Sequence, residues 1–318
     1  CCVFFFKQKT AYEFVDCDWS SDVCSSDLNS KETFILANNW FMVFFLVTVL
    51  IGTIYPIFLD VLTDTKVSIG PPFYNIVLIP LVIPFLLLMT VGPQFSWINS
   101  KKEKLYKTLY ILVGAIAINL IFFSFFGSHG IFSNLILVTS TFLVLHSILD
   151  AKKLIKNKKK FEYSRIISHL GFGLLVFFIG INHNHSVETD FNLKVGDTKK
   201  INNFLIYFEK INIESNKNYE SVTGNFQINN LKKKYIQYLN PEIRIYSNPE
   251  TLTYEAAIKS KITSDLYLTM SNVSRSDFYN IKFQSKPFMI WIWVSALMIA
   301  FGGFVQLMLK KNEINFSI

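Results

Sequence analysis

The chain reads as a membrane all-α bundle of about six transmembrane helices with an inserted, periplasmic β-rich domain. Three features predict this. Of the 318 residues, 51% are hydrophobic and only 17% charged, the composition of a polytopic membrane protein. Six apolar runs approach or exceed the roughly 20 residues that a bilayer crossing needs. Between the fifth and sixth runs lies a polar stretch, 183–286, in which hydrophobic and polar residues alternate as in antiparallel strands.

The first 28 residues, Cys1 to Leu28, open without Met and show no signal-peptide pattern and no clear period. They resemble translated adapter read-through and are expected to be foreign to the fold and disordered, so native sequence would begin near Asn29 with an N-terminal portion missing. All four cysteines (Cys1, Cys2, Cys17, Cys24) lie inside this stretch. The remainder therefore has no disulfide, thiolate metal site or CxxC chemistry.

Residues 29–182 are expected to hold five membrane helices, with apolar runs at Ile35–Leu59, Phe73–Val91, Leu105–Phe126, Ile131–Leu149 and Ile166–Ile181, the fifth being the shortest. Gly70-Pro71-Pro72-Phe73 places proline where a first helical turn tolerates it. The polar stretch 183–286 carries alternating segments at Phe204–Phe208, Tyr235–Leu239, Ile243–Tyr246, Leu266–Met270 and Phe278–Phe283. Turn signals at Val195-Gly196-Asp197 and Asn240-Pro241 interrupt it, so a small β-sandwich or barrel-like module is expected. Residues 287–318 form the last helix, Pro287–Leu309, and a short tail.

Charge fixes the orientation. The net charge of +8 comes largely from lysine clusters in short loops, a pattern that membrane topology explains without a nucleic-acid partner. Lys101, Lys102, Lys104 and Lys107 flank one loop, Lys152 to Arg165 fill another, and Lys310 and Lys311 follow the last run. With six alternating helices all three face the cytoplasm. The expected location is thus a bacterial inner membrane, multi-pass, with 183–286 periplasmic. Trp291 and Trp293 then sit at the outer interface.

His169, in Arg165-Ile-Ile-Ser-His-Leu-Gly-Phe-Gly173, is the sharpest candidate. An ionisable side chain in hydrocarbon is costly and normally meets a partner, a cavity or a cofactor. Imidazole is also a common axial ligand of haem iron. The alternative is a histidine hydrogen-bonded to a neighbouring helix. Gly171 and Gly173 would admit a flat macrocycle or another helix. His146 shares the depth of His169, because the fourth and fifth helices run antiparallel. It is the alternative ligand, its competing role being an i,i+4 contact with Asp150. His129 lies in an outer turn, and His183 and His185 lie just beyond the fifth apolar run; all three read as solvated loop histidines. Glu242, Arg244, Glu255 and Asp265 read as ion pairs or partner contacts rather than as a catalytic set.

Several strings occur in order along the chain: Lys31-Glu-Thr-Phe-Ile-Leu-Ala-Asn-Asn39, Gly52-Thr-Ile-Tyr-Pro56, Ser68-Ile-Gly-Pro-Pro-Phe-Tyr-Asn75, Val91-Gly-Pro93, Ser168-His-Leu-Gly-Phe-Gly173, Leu239-Asn-Pro-Glu-Ile-Arg-Ile-Tyr246, Thr253-Tyr-Glu-Ala-Ala-Ile258, Ser264-Asp-Leu-Tyr267, Lys286-Pro-Phe-Met-Ile-Trp-Ile-Trp293 and Gly302-Gly303. By their order and spacing over residues 30–310, they together resemble the C-terminal half of the CcmF/NrfE family of cytochrome c haem lyases.

The resemblance implies a subunit of system I cytochrome c maturation that joins haem to the CxxCH thiols of apocytochrome c. It implies a membrane haem b with His169 as one axial ligand, held in a slot large enough for a porphyrin. It also implies a periplasmic haem chaperone and other maturation subunits as partners, with quinol as electron source. The family's tryptophan-rich motif and second membrane ligand would lie upstream of Asn29, so this stretch is not expected to act alone. The rival expectations are a b-type haem respiratory electron-transfer subunit and a non-catalytic scaffold or permease.

Overall fold

The structure, a computed structural model, describes residues 31–63, 67–94, 102–127, 130–157, 163–231, 235–272 and 277–316. The foreign-looking stretch 1–28, His129, Lys101 and Lys158 to Lys160 lie outside the described residues. The described chain forms two compact units, one of residues 1–177 with 295–318 and the other of residues 178–294.

The helical unit is built on α1 (Lys31–Thr63), α2 (Pro71–Val91), α3 (Lys102–Phe126), α4 (Ile131–Asn157), α5 (Tyr163–His185) and α6 (Met289–Phe316), the last turns of α5 and the first of α6 belonging to the other unit. Each contains a window long and apolar enough to cross a membrane. Gly70 precedes α2 with extended backbone, and prolines occupy the first helical positions, where their missing N–H groups cost nothing. The helix runs on through Pro80 and Pro84, as membrane helices can. α5 is longer than its apolar run, so His183 and His185 lie in its last turn rather than beyond it. Nothing in Asn182 to His185 breaks a helix, and the chain leaves only at Ser186, whose N–H still donates to Asn182 O at 2.9 Å.

Small residues on α5 and α6 set the helix packing. A Cβ on Gly171 would stand 3.1 Å from the backbone nitrogen of Ile299 on α6, and one on Gly173 would stand 2.9 Å from Val144 Cγ2 on α4. Both glycines therefore serve helix–helix approach, and neither face is free for a macrocycle. Gly302 of α6 is tighter: an added Cβ would lie 2.9 Å from Ser168 N and 3.1 Å from Ser164 O. Ser164 Oγ donates to Gly302 O at 2.7 Å in the same buried contact. Because backbone cannot yield as a side-chain tip does, Gly302→Val is expected to cost about 1–3 kcal/mol and to lower the amount of folded protein in membranes, measured by size exclusion in detergent. Across α1, α2 and α5, Phe45 meets Phe85 edge-on at 5.4 Å and Phe85 meets Phe172 at 5.8 Å, geometry that aromatic quadrupoles favour.

The second unit is a β-sandwich. Its strands are β1 (Val187–Leu193), β2 (Thr198–Ile201), β3 (Phe204–Ser215), β4 (Tyr219–Asn230), β5 (Tyr235–Leu239), β6 (Glu242–Ser247), β7 (Glu250–Glu255), β8 (Ala257–Lys259), β9 (Ser264–Asn272) and β10 (Tyr279–Pro287). One antiparallel sheet runs β1-β10-β9-β8, the other β2-β3-β4-β6-β7 with β5 also on β4. β5 and β6 lie end to end along β4, pairing with Phe226–Asn230 and Tyr219–Thr223 respectively. Asn240-Pro241 separates them because proline has no N–H to add to a ladder; Pro241 still accepts from Gly224 N at 3.0 Å. Gly224 has no spare room, since a Cβ there would lie 2.7 Å from Met270 Sδ. The core includes Ile206, Phe208, Phe226, Ile228, Leu268, Ile281 and Phe283, each at most 1% exposed. Phe208 stacks on Phe226 at 4.2 Å.

The outer face of the four-stranded sheet is polar. Lys282 Nζ stands 2.6 Å from Glu188 Oε1, and that hydrogen bond holds the Glu188 carboxyl below its ordinary range while raising Lys282. A depressed carboxylate contributes stability above its unfolded pKa, about 4.3, and loses it as pH falls through the folded value. The raised lysine contributes below its ordinary range and loses that at strongly alkaline pH. Lys282→Met is therefore expected to destabilise the sandwich slightly at neutral pH, and the difference to vanish in acid, read as amide exchange of β1 and β10 against pH.

Candidate functional site

Four ionisable side chains of the helical unit, His146, Asp150, Arg165 and His169, line one pocket. α2 and the 3-10 turn that follows it (Gly92–Gln94) supply Met89, Thr90 and Pro93. α4 supplies Leu143, His146, Ser147 and Asp150, and α5 supplies Arg165, Ile166 and His169. Helical spacing does this. His146 and Asp150 are one turn apart on α4, and Arg165 and His169 one turn apart on α5, so each pair faces one way.

Asp150 organises the cluster. Its Oδ2 accepts from Gln94 Nε2 at 3.1 Å and lies 3.5 Å from His146 Nδ1, and its Oδ1 accepts from Lys153 Nζ at 3.1 Å. Thr90 Oγ1 donates to Leu86 O at 2.8 Å, so it is satisfied within its own helix. His146 is 4% exposed, whereas His169 is only partly buried. The carboxylate thus holds the end of α2 to α4 beside the two imidazoles. Gln94 and Arg165 are the members that sequence reasoning missed as site residues. Arg165 sat among the topogenic lysines, and the Gln94–Asp150 pairing spans 56 positions.

A haem implied by the resemblance can be tested against this geometry. The donor chemistry suits iron, since His169 carries an imidazole that lines the pocket. The enclosure does not suit the macrocycle: the cavity lined by both histidines is about 10 Å³, far below the roughly 300–1,000 Å³ of cofactor-sized sites. The expected porphyrin-sized slot is therefore not formed by the described residues. Side chains of α2, α4 and α5 fill it, and Gly171 and Gly173 are spent on helix contacts. No three His, Cys, Asp or Glu side chains come together as a metal-ion site among the described residues.

The remaining candidates fall in the sandwich unit. His183 and His185 end α5. Arg244 Nε donates to Glu242 Oε2 at 2.9 Å, with Nη1 3.8 Å from Glu255, and its guanidinium lies 5.1 Å from the Tyr219 ring. These contacts, the Glu242 hydrogen bond first, push the Arg244 pKa further up. Asp265 sits on the other sheet and accepts from Ser260 Oγ at 3.2 Å and Lys261 N at 3.3 Å. Burial first, then Asp265, raises the Tyr267 hydroxyl. The four charged residues thus brace strands and a turn in two separate places and form no single site.

Six membrane-capable helices and a two-sheet sandwich inserted between the last two define a multi-pass membrane protein with a β-domain. Residues 184–287 match the family model described as the CcmF C-terminal beta-sandwich. The chain is 29% identical over 283 residues to the cytochrome c-type biogenesis protein CcmF of Escherichia coli (strain K12), covering 87% of this chain and 44% of that protein. It is 27% identical over 284 residues to CcmF of Pseudomonas aeruginosa, covering 86% and 43%. A solved structure titled Cytochrome c Heme Lyase CcmF superposes with a TM-score of 0.71 at 17% identity, over 88% of this chain and 46% of that one. Over most of its length the chain is thus similar to the C-terminal portion of the CcmF/NrfE family of cytochrome c-type biogenesis proteins, and it shares their fold. It spans about half the length of the curated relatives it matches.

Proposed function

We propose that this chain is the C-terminal part of a haem lyase of system I cytochrome c maturation, which attaches haem to the CxxCH thiols of apocytochrome c. The protein would sit in the bacterial inner membrane with its sandwich on the periplasmic side, beside a haem chaperone and other maturation subunits. The observation that supports this reading best is a CcmF-type sandwich over 184–287 preceded directly by a helix that bears His169.

In this reading His169 is an axial ligand of haem b, with His146 the weaker alternative. Bound there, haem supplies one-electron chemistry, with quinol as the source of electrons. The chain's own residues do the positioning. Asp150 fixes His146 and the end of α2, while Leu143, Ile166 and Met89 exclude water beside His169. The lysines near the ends of α3, α4 and α6 would hold that end of the bundle at the cytoplasmic surface.

The test is deletion of the gene in its host, followed by haem staining of c-type cytochromes. Loss of stain, with accumulation of haem-free cytochrome, and restoration by the intact gene are expected. Normal cytochrome c in the deletion strain overturns the reading.

A further inference from the structure

The half of the six-stranded sheet farthest from the core leaves an apolar face uncovered. Cross-strand partners point to the same side of a sheet. One row is Ile213, Val222, Ile243 and Tyr254, and the next is Ser215, Glu220, Ile245 and Leu252. Ile243 is in the core at 4% exposure, but Ile213, Ile245, Leu252 and Tyr254 are 73%, 41%, 49% and 48% exposed. Glu220 lies within this face, and Glu250, opposite Ser247, borders it. The cation of β6, Arg244, points the other way and is already engaged by Glu242 and Glu255.

The same face ends on an open strand. β7 is the terminal strand of its sheet and pairs only with β6. Exposed edges are commonly guarded by lysine, proline or a bulge. β7 reads Glu-Thr-Leu-Thr-Tyr-Glu, with none of these in it and its two outward apolar side chains on the uncovered face.

We propose that β7 and this face take up an extended polypeptide segment that alternates apolar with other residues and carries basic side chains. The segment would add as a further strand to β7. Its backbone would satisfy the open edge, its apolar side chains would cover Leu252 and Tyr254, and a basic side chain would meet Glu250. Resting on the function proposed above, the segment is part of the polypeptide that receives haem, lying beside the thiols and held extended before that polypeptide folds.

The test uses the intact protein in native membranes, with a photo-reactive amino acid at Leu252, at Tyr254 or, as control, at Asn192 on the polar outer face of β1. The probe is a synthetic peptide spanning the CxxCH segment of the host's own cytochrome c with its flanking residues. Label transfer from positions 252 and 254 at least fivefold above position 192 is expected. With the photo-reactive group at 254, Leu252→Lys and, independently, Glu250→Lys should each reduce transfer by fivefold or more at unchanged protein abundance. Glu250 is exposed, so its substitution tests the charge without threatening the fold. Transfer equal to the control, transfer only to a second copy of the protein or to lipid, or insensitivity to both substitutions overturns the inference. The deletion experiment judges the maturation role separately, so either idea can fail while the other stands.

Discussion

Substituting His169 by alanine in the intact protein is expected to abolish the reduced-minus-oxidised haem b band of the purified protein, while the protein still accumulates. The residue is partly buried and lines the pocket with His146, Asp150 and Arg165, and an ionisable side chain in a membrane helix is retained for a reason. His146→Ala should leave the band in place, because His146 is 4% exposed and already lies against Asp150. The two substitutions separate ligation from packing. A band that survives His169→Ala but not His146→Ala would reverse the assignment, and one that survives both would reduce the pocket to a structural role.

Replacing Phe226 by alanine is expected to destabilise the sandwich by about 3–5 kcal/mol, the usual range for truncating a buried aromatic. Phe226 is fully buried, stacks on Phe208 at 4.2 Å and pairs with Leu239 on β5. Its ring also lies beside Gly224 and so close to Met270, which places it where the two sheets meet. Partial collapse into the void is limited because the neighbours are strand-borne and fixed in register. Amide exchange should accelerate across β3, β4, β9 and β10 while α2 and α4 keep their protection. If the loss of protection were confined to β4, the sandwich would not be one cooperative core.

Much of this was visible in the chain itself, for stated reasons. The apolar runs announced their helices because a bilayer crossing demands a long unbroken stretch of such residues. β3, β5, β6, β9 and β10 were legible from alternation, since one face of each carries apolar side chains. β1, β2, β7 and β8 were not. They lie at sheet ends with mostly exposed or half-exposed residues, so their inward positions carry little apolar signal. β4 escaped notice because two of its inward positions are Gly224 and Asn230. His146 and His169 stood out as ionisable groups in apolar surroundings. The role of Gln94 did not, because its partner is remote in sequence. The end of α5 was misjudged because hydropathy stops at Ile181 while the backbone has no reason to.

Local composition alone settled that the chain crosses a membrane about six times and carries a β-module before its last crossing, because the energy of placing a side chain in hydrocarbon or water belongs to each residue separately. What the three-dimensional arrangement decided was the use of space. Gly171, Gly173 and Gly302 are filled by neighbouring helices, Asp150 joins α2 to α4, and β7 is left as the terminal strand of its sheet among the described residues. Those outcomes depend on which surfaces meet, and packing of distant segments is a property that no single stretch of sequence contains.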